Sequence, residues 1–407
     1  MQPTGPCSSS PARPRRLHAL ALLFMLPFLA TCATRPQLIA PDSFDYAEPG
    51  QIRLFDDNGN PGVDIAASIE AALRTGHPLK DSDGDGRPDY IILALSGGGA
   101  FGAYTAGILT TWSEIGTRPE FDVITGVSTG ALAGALAFAG PEYDPILRHV
   151  YTQFRRSDIL RFRPFLGVFA SSVSDDHPLH AQILDIVDDR FLDRVVAEHD
   201  KGRRFYVATT DLDRGRLAVW DMGEVARVKD AKRRERFANI LLASASVPVL
   251  FPPVFVPLQQ GGGVMHVDGG VKAPVLVRNF MLEVPKRASP KRPVDLQVYV
   301  VINNKISLTH HGKPVEPNIA SIARSSIRTL YETAIYKTLY QSYVTTRQAR
   351  GKFRLSYVPD ELQLEGNSLS FKGQDMQRLF DLGASRMREG TAWVPEPPRL
   401  EALERIN

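Results

Sequence analysis

The stretch from Asp89 to Ala139 reads DYIILALSGGGAFGAYTAGILTTWSEIGTRPEFDVITGVSTGALAGALAFA. Its apolar run from Tyr90 to Leu95 is too short for a helix and predicts a strand that is covered on both faces. A glycine turn follows, then a segment typical of a helix from Ala103 to Ile115, and then a second apolar run from Phe121 to Thr125. The order strand, turn, helix, strand indicates an α/β fold.

The turn after the first predicted strand contains three adjacent glycines, Gly97, Gly98 and Gly99. Because glycine has no Cβ, several backbone N–H groups can approach one anionic oxygen beside the start of a helix. Such a turn is typical of an oxyanion hole. It does not fit a P-loop, which needs a lysine where Phe101 and Gly102 stand, nor the G-x-G-x-x-G of a dinucleotide-binding turn.

The second predicted strand ends in a serine between two glycines, Gly126-Val-Ser128-Thr-Gly130. The small, apolar segment that begins at Ala131 continues as a helix. A serine at a sharp strand-to-helix turn is the arrangement of a nucleophile elbow. The pattern therefore predicts Ser128 as a nucleophile, with Gly126 and Gly130 forming the elbow around it.

A third motif lies far downstream, at His266-Val-Asp268-Gly-Gly, where an aspartate follows a strand-like run. The order G-G-G-x-x-G, G-x-S-x-G and D-G-G resembles the signature of the patatin-like phospholipase family. The resemblance extends from about Asp89 to the region of Gly390. It also includes two intervening blocks, Ala208 to Asp213 and Ala243 to Pro248.

The resemblance implies a Ser–Asp dyad, in which Ser128 is the nucleophile and Asp268 activates it. The backbone N–H groups of the three glycines would hold the tetrahedral oxyanion, and the substrate would be a phospholipid or a related lipid ester. The family often has a basic residue before the last glycine of its first motif. Here that position is Phe101, so a role for that cation does not carry over.

The rest of the chain alternates between strand and helix patterns. Val294 to Ile302 and Phe353 to Val358 predict strands, whereas Ile319 to Arg350 and Met376 to Arg388 predict helices. Together with the resemblance, the alternation predicts a three-layer α/β/α fold with a mostly parallel central sheet. We expect one hydrolase domain at residues 89–392 and a C-terminal tail at 393–407.

The composition is that of a globular protein, with 407 residues, 43% hydrophobic and 23% charged. A formal net charge of +3 gives no nucleic-acid footprint, although contact with a membrane surface stays open. The basic cluster between Lys229 and Arg236 is most simply a solvated helix face. Contact with anionic lipid headgroups is its alternative.

The N-terminus has the layout of an exported protein. Arginines at positions 13, 15 and 16 precede the apolar run from Leu17 to Ala30, which predicts a signal peptide at residues 1–31. The sequence Leu29-Ala-Thr-Cys32 resembles a lipobox, and it predicts a lipidated Cys32 and a membrane-anchored lipoprotein of the cell envelope. Thr31 departs from that pattern, so ordinary cleavage with an incidental Cys32 is the alternative.

The two cysteines, Cys7 and Cys32, both lie at or before the predicted cleavage site. The mature body therefore has no thiol, which excludes a disulfide framework, a cysteine nucleophile and a thiolate metal site.

Residues 32–88 are rich in Pro, Asp and Gly and predict a tether with one short helix around Ile65, Ile69 and Leu73. The tether ends in a D-x-D-x-D-G pattern. Calcium ligands predicted from it are Asp81, Asp83, Asp85 and Asp89. Because Ile92 stands where an EF-hand has its glutamate, an acidic surface turn is the alternative. We expect no cofactor to be required for catalysis.

Two other functions remain open at this stage. One is an esterase with a Ser–His–Asp triad, whose base would be His266, His177 or His180. The other is a non-catalytic envelope lipoprotein that uses the same fold as a binding scaffold. A further open question concerns the aromatic segment around Phe154, Phe162 and Phe165, which fits either core packing or the entrance for an acyl chain.

Overall fold

The protein was analysed as a computed structural model, which describes residues 46, 49–52, 63–74, 79–81, 84–162, 172, 174–259, 261–288, 294–306 and 314–398. The strands are β1 Gln51–Ile52, β2 Asp89–Leu95, β3 Val123–Val127, β4 Arg161–Phe162, β5 Ser174–Asp175, β6 Arg204–Asp211, β7 Arg216–Asp221, β8 Val254–Pro257, β9 Gly263–Asp268, β10 Asp295–Lys305 and β11 Lys352–Val358.

The α-helices are α1 Val63–Arg74, α2 Gly102–Glu114, α3 Thr129–Ala139, α4 Asp144–Gln153, α5 Arg156–Ile159, α6 His177–Ile186, α7 Asp189–Asp200, α8 Met222–Arg227, α9 Arg233–Ala245, α10 Asn279–Ala288, α11 Ile319–Gln348 and α12 Gly373–Arg388. Three short 3₁₀ turns are Gly99–Phe101, Pro141–Tyr143 and Gly269–Val271.

Nine of these strands form one sheet, in the order β1-β7-β6-β3-β2-β10-β11, with β9 paired to β6 and β8 paired to β9. The five strands β6, β3, β2, β10 and β11 run parallel. The added strands β7, β1, β9 and β8 pair antiparallel at one side. Because parallel strands end at the same edge, β2 and β3 deliver their glycine turn and serine elbow to the same place.

Strand β2 shows how the sheet is covered. Its residues Ile91, Leu93 and Leu95 belong to the apolar cluster on one face, and Tyr90, Ile92 and Ala94 to the cluster on the other. Helices α2 to α9 and α12 contribute to the first cluster, and α1, α10 and α11 to the second. A sheet buried on both faces explains the uninterrupted apolar run. The predicted three-layer α/β/α fold is confirmed.

The predicted strands and helices downstream of the motifs are confirmed, most closely α11 at Ile319–Gln348 and β11 at Lys352–Val358. The predicted short helix is α1, and its Ile65 and Ile69 are fully buried against the sheet. That part of the predicted tether therefore packs as a layer of the domain.

The basic cluster differs from its interpretation as a solvated face. Arg233 and Arg236 are about 95% buried, and their guanidinium groups pair with Asp193 at 2.9 Å and Asp230 at 2.8 Å. The prediction is wrong for these two residues, because a charged side chain can be buried when a carboxylate pairs with it.

The predicted signal peptide and Cys32 lie outside the residues that the structure describes, as do Phe165 and its neighbours. Within the part that is described, no helix has the length and apolar character needed to cross a bilayer.

Candidate active site

Ser128 lies at the turn between β3 and α3 in a strained backbone conformation, with φ 54° and ψ −128°. A non-glycine residue rarely adopts a positive φ, and the cost is of order 1–3 kcal/mol. The turn leaves no space for side chains beside the serine. A Cβ on Gly126 would lie 2.5 Å from Ala131 Cα, and one on Gly130 would lie 2.6 Å from the Ser96 carbonyl oxygen. The predicted elbow is therefore a tight strand-to-helix turn.

Ser244, which no motif singled out, holds the strained backbone of the elbow. The N–H of Ser128 donates to Ser244 Oγ at 2.9 Å, and Ser244 Oγ in turn donates to the Ala208 carbonyl at 2.7 Å. These bonds tie the elbow to α9 and to β6. The sequence signal was indirect, because Ser244 falls in one of the intervening blocks that resemble the family.

Asp268 ends strand β9, which pairs antiparallel with β6, and its N–H donates to the Ser246 carbonyl at 2.9 Å. Its carboxylate accepts a hydrogen bond from the Gly270 N–H at 2.7 Å, and the Ser128 side chain lies close enough to lower its pKa. The fold thus brings together two residues that are 140 positions apart in the chain.

Burial raises the pKa of the Asp268 carboxyl from 3.8 to about 6, although hydrogen bonds from Ser128 and Gly270 act in the opposite direction. Only 4% of the residue is exposed. A carboxylate held in this way is more basic than one in water, yet it is still ionised at neutral pH. It can therefore accept a proton from the serine hydroxyl.

The glycine turn wraps closely around its neighbours. Gly98 has φ 153° and Gly99 has φ 53°, and a Cβ on either would collide with a backbone carbonyl oxygen, that of Asn303 or of Ser368. Among the described residues, no hydrogen bond uses the N–H of Gly98 or Gly99. The N–H of Gly97 makes a long bond of 3.4 Å to the Pro274 carbonyl. Two of the three predicted donors therefore have no hydrogen-bond partner among the described residues.

Asn303, at the end of β10, fixes the start of this turn. Its N–H donates to Ser96 Oγ at 2.8 Å, and its side-chain nitrogen donates to the Ser96 carbonyl at 2.9 Å. The Thr105 hydroxyl donates to its side-chain oxygen at 2.7 Å. Sequence reasoning missed Asn303, because it belongs to no local motif.

An apolar cavity of about 90 Å³ opens beside Ser128. Its wall includes side chains from α3, α4, α6, α9 and α12, among them Leu132, Ala135, Leu136, Ile183, Leu241 and Met376. Phe154 also lines it, which favours the acyl-entrance interpretation for that member of the aromatic segment. The polar pair nearest the serine is satisfied internally, since Thr129 Oγ1 and Tyr151 OH are 2.6 Å apart.

Tyr331 is a further neighbour that the sequence did not predict. It comes from helix α11 and is partly buried. Its ring packs beside Gly97 and Gly270, the glycines next to the two predicted catalytic residues.

The three candidate histidine bases lie elsewhere. His266 is fully buried, and its ring nitrogens contact Thr209 Oγ1 at 2.9 Å and Tyr46 OH at 2.8 Å. Burial lowers its pKa to about 4. His177 is exposed and His180 partly buried, both on α6. Within the described chain, no histidine makes a hydrogen bond or ion pair with Ser128 or Asp268.

The predicted calcium turn is only partly described, since Asp83 is outside the described ranges. The Asp81 carboxylate accepts hydrogen bonds from the N–H groups of Gly84 and Gly86, at 2.7 and 2.9 Å. Asp89 is buried and accepts a hydrogen bond from Gln297 at 2.6 Å. No group of three metal-ligating side chains occurs among the residues with described positions.

Comparison with known proteins gives a family match. Residues 93–281 match the family model described as patatin-like phospholipase, and this range contains Ser128, Asp268 and the three glycines. The chain is also 28% identical over 237 residues to the cGAMP-activated phospholipase of Pseudomonas aeruginosa (strain BWHPSA011 / Pa011). That alignment covers 56% of this chain and 66% of the relative, just under two thirds of its length.

Two solved structures resemble the chain more distantly. VipD from Legionella pneumophila gives a TM-score of 0.35 at 13% identity, covering 72% of this chain and 67% of that one. Human GIVD cytosolic phospholipase A2 gives 0.36 at 11% identity, covering 80% and 62%. Likeness at this level carries no information about the activity of this chain.

Proposed function

We propose that this protein is a serine acyl-ester hydrolase that acts on phospholipids or related lipid esters. Its residues 93–281 match the model of the patatin-like phospholipase family. The observation that carries the proposal is the position of Ser128, which lies at a strained elbow, lines an apolar cavity and is next to the buried carboxylate of Asp268. The name of the phospholipase relative from Pseudomonas aeruginosa supports the same substrate class.

In the first half of the reaction, Ser128 Oγ attacks the ester carbonyl carbon while Asp268 accepts the hydroxyl proton. The new bond makes the carbonyl oxygen an anion. The N–H groups of Gly98 and Gly99 are the free donors beside it, and the loss of one such donor typically costs about 2.7–4 kcal/mol of transition-state stabilisation. Collapse breaks the bond to the alcohol, which takes the proton from Asp268.

In the second half, a water molecule attacks the acyl-serine. Asp268 accepts a proton from this water, and the same N–H groups bind the second oxyanion. When the acyl-serine bond breaks, the proton returns to Ser128 Oγ and the fatty acid leaves. One carboxylate thus acts as base and as acid in alternation, which a pKa of about 6 favours at neutral pH.

The cavity accounts for the lipid substrate. An acyl chain bonded to Ser128 would extend along α3 into the cavity. The side chains that line this cavity are almost entirely aliphatic and aromatic. Burial of each CH₂ group contributes about 0.8 kcal/mol. Binding in this cavity therefore favours esters with long acyl chains. Lipids with such chains are found in membranes, so the enzyme would take its substrate from a membrane surface.

The test is labelling with a fluorophosphonate, followed by fatty-acid release from phospholipid vesicles. A phosphonate reacts only with an activated serine, so we expect one adduct at Ser128 and no adduct in Ser128→Ala. Lack of labelling in correctly folded wild-type protein would favour the binding-scaffold alternative. Labelling that requires one of the three candidate histidines would favour the triad.

A further inference from the structure

Tyr331 reaches the dyad from helix α11, an element that contains none of the three motifs. A Cβ placed on Gly97 would lie 2.5 Å from the Tyr331 hydroxyl oxygen and 3.1 Å from Ser128 Cβ. A Cβ placed on Gly270 would lie 2.5 Å from Tyr331 Cε2 and 2.9 Å from Asp268 Oδ1. The phenol therefore lies across both glycines, next to the nucleophile and to its base.

The arrangement of substituents around the reacting carbon indicates which of them Tyr331 can contact. A tetrahedral intermediate on Ser128 has three further substituents: the acyl chain, the oxyanion and the alkoxy oxygen of the leaving alcohol. The acyl chain has its cavity along α3, and Tyr331 does not line that cavity. The oxyanion has the free N–H groups of Gly98 and Gly99. The alkoxy oxygen is left to the side where Tyr331 and Asp268 lie.

We propose that Tyr331 is a third catalytic residue, whose hydroxyl donates a hydrogen bond to the alkoxy oxygen of the leaving alcohol. The inference rests on the proposed hydrolase function and adds a residue to it. The proton that the alcohol finally takes is the serine proton, returned by Asp268, while the carbon–alkoxy bond breaks. Tyr331 keeps its own proton and stabilises the negative charge that develops on the departing oxygen.

The surroundings of the phenol suit a donor that does not ionise. Burial, followed by the charge of Asp268, raises the pKa of Tyr331 far above its ordinary value. A phenol that keeps its proton acts toward a developing alkoxide as a hydrogen-bond donor. Exchange of this one hydroxyl for a hydrogen leaves the ring against the two glycines, so the Tyr331→Phe variant separates hydrogen bonding from packing.

The experiment compares Tyr331→Phe with wild-type protein on two esters of the same fatty acid. The p-nitrophenyl ester has a leaving group that departs as a stable anion and needs no donor, whereas the glyceryl ester leaves as a poor, basic alkoxide. We expect kcat for the glyceryl ester to fall about tenfold, the effect of one hydrogen bond, and kcat for the p-nitrophenyl ester to change less than about twofold.

The matched control is Tyr336→Phe on the same helix. Tyr336 has a buried hydroxyl with no partner in the described chain, and Asp360 and Tyr340 are close to it. We expect both esters to be hydrolysed at the wild-type rate by this variant. Melting temperatures of the two variants should agree with wild type within a few degrees.

The outcomes separate this inference from the function on which it rests. If wild-type protein neither reacts with fluorophosphonate nor hydrolyses either ester, the hydrolase proposal itself fails. If wild-type protein is active and Tyr331→Phe loses equal factors on both esters, the tyrosine has only a structural role. Unchanged hydrolysis of the glyceryl ester by that variant would overturn the inference in the same way.

Discussion

At the scale of single residues, we propose that Ser128 and Asp268 act as one unit, because the buried carboxylate lies next to the hydroxyl that it would deprotonate. Groups that act in one step are strongly non-additive. We expect Ser128→Ala, Asp268→Ala and the double variant each to lose at least about a thousandfold in kcat, with similar residual rates. Ester hydrolysis by purified variants, each checked for folding by circular dichroism, measures this.

The histidines provide the contrast to the dyad variants. Individual replacement of His266, His177 and His180 by Gln should leave most of the activity, because none of them contacts the dyad in the described chain. A loss of several orders of magnitude from one replacement, in a protein that still folds, would establish a triad in place of the dyad.

The buried carboxyl of Asp268 should also reduce stability. Its pKa rises from 3.8 to about 6 on folding, so the ionised form is disfavoured in the folded state. The cost is on the order of 3 kcal/mol when both states are ionised, at pH 7.5, and falls to about a third at pH 4.5, where the folded protein binds the proton. We therefore expect inactive Asp268→Asn to be more stable than wild type at pH 7.5.

Urea denaturation at both pH values measures this difference. The gain for Asp268→Asn should shrink as pH falls from 7.5 to 4.5, because the penalty that it removes shrinks. Asp185→Asn, which alters an exposed carboxyl on α6, is the matched control and should change stability by less than about 0.5 kcal/mol at either pH. A gain for Asp268→Asn that is the same at both values would exclude the burial penalty as its cause.

At the scale of elements, the strand-to-helix turns were predictable and their supports were not. The apolar run of β2 and the glycines after it constrain the local backbone by themselves, so Tyr90 to Gly99 could be interpreted without tertiary information. Ser244, Asn303 and Tyr331 lie on α9, β10 and α11. They reach the site only through sheet order and helix packing, which no local pattern contains.

The lack of tertiary information in a local pattern also explains why two other segments, helix α1 and the basic cluster, differ from their predictions. Helix α1 has an apolar face like any surface helix, and its packing on the sheet depends on α10 and β1. Arg233 and Arg236 were predicted to be solvated because lysines and arginines usually are. Their carboxylate partners Asp193 and Asp230 became visible only in the fold.

Helix α3 forms one wall of the cavity, and its small residues should set the acyl length. Ala135 is buried in that wall, so Ala135→Leu would fill part of the 90 Å³ space. We expect kcat/KM for a sixteen-carbon ester to fall about tenfold and that for a butyryl ester to stay unchanged. Leu136→Ala, which enlarges the same wall, should shift the preference toward longer chains. Equal losses on both esters from Ala135→Leu would indicate a packing defect instead.

The acidic turn before β2 stays a prediction as a calcium site. Asp89 is buried beside Gln297, which leaves Asp81, Asp83 and Asp85 as the carboxylates that could bind an ion. We expect 10 mM calcium to raise the melting temperature, since calcium at 100 times its Kd adds about 2.7 kcal/mol to stability. The Asp83→Asn variant and magnesium at the same concentration are the controls. Identical melting curves with calcium and with chelator would favour an acidic surface turn.

At the scale of the whole molecule, the proposed active site and the proposed lipid anchor would both act at the membrane surface. Lipid substrates are held in a membrane, so an enzyme tethered to the leaflet meets them at high effective concentration. One acyl chain gives only marginal, reversible binding, whereas two or more hold a protein firmly. A lipidated Cys32, carrying several chains, would therefore keep the domain at the membrane while its active site works on neighbouring lipids.

The proposed anchor predicts that loss of Cys32 changes where the protein is located but not its catalytic activity. When the protein is expressed in a bacterium that processes lipoproteins, Cys32→Ala should move it from the membrane fraction to the soluble fraction. Hydrolysis of a soluble butyryl ester should be unchanged, because Cys32 contributes nothing to the dyad. The other cysteine of the chain, Cys7, lies before the apolar run, so Cys7→Ala is the matched control and should leave the protein in the membrane fraction.

Mass spectrometry of the mature N-terminus provides the direct measurement. An unmodified residue other than Cys32 at that terminus, with Cys32→Ala still in the membrane fraction, would mean that the domain reaches its lipids without this anchor.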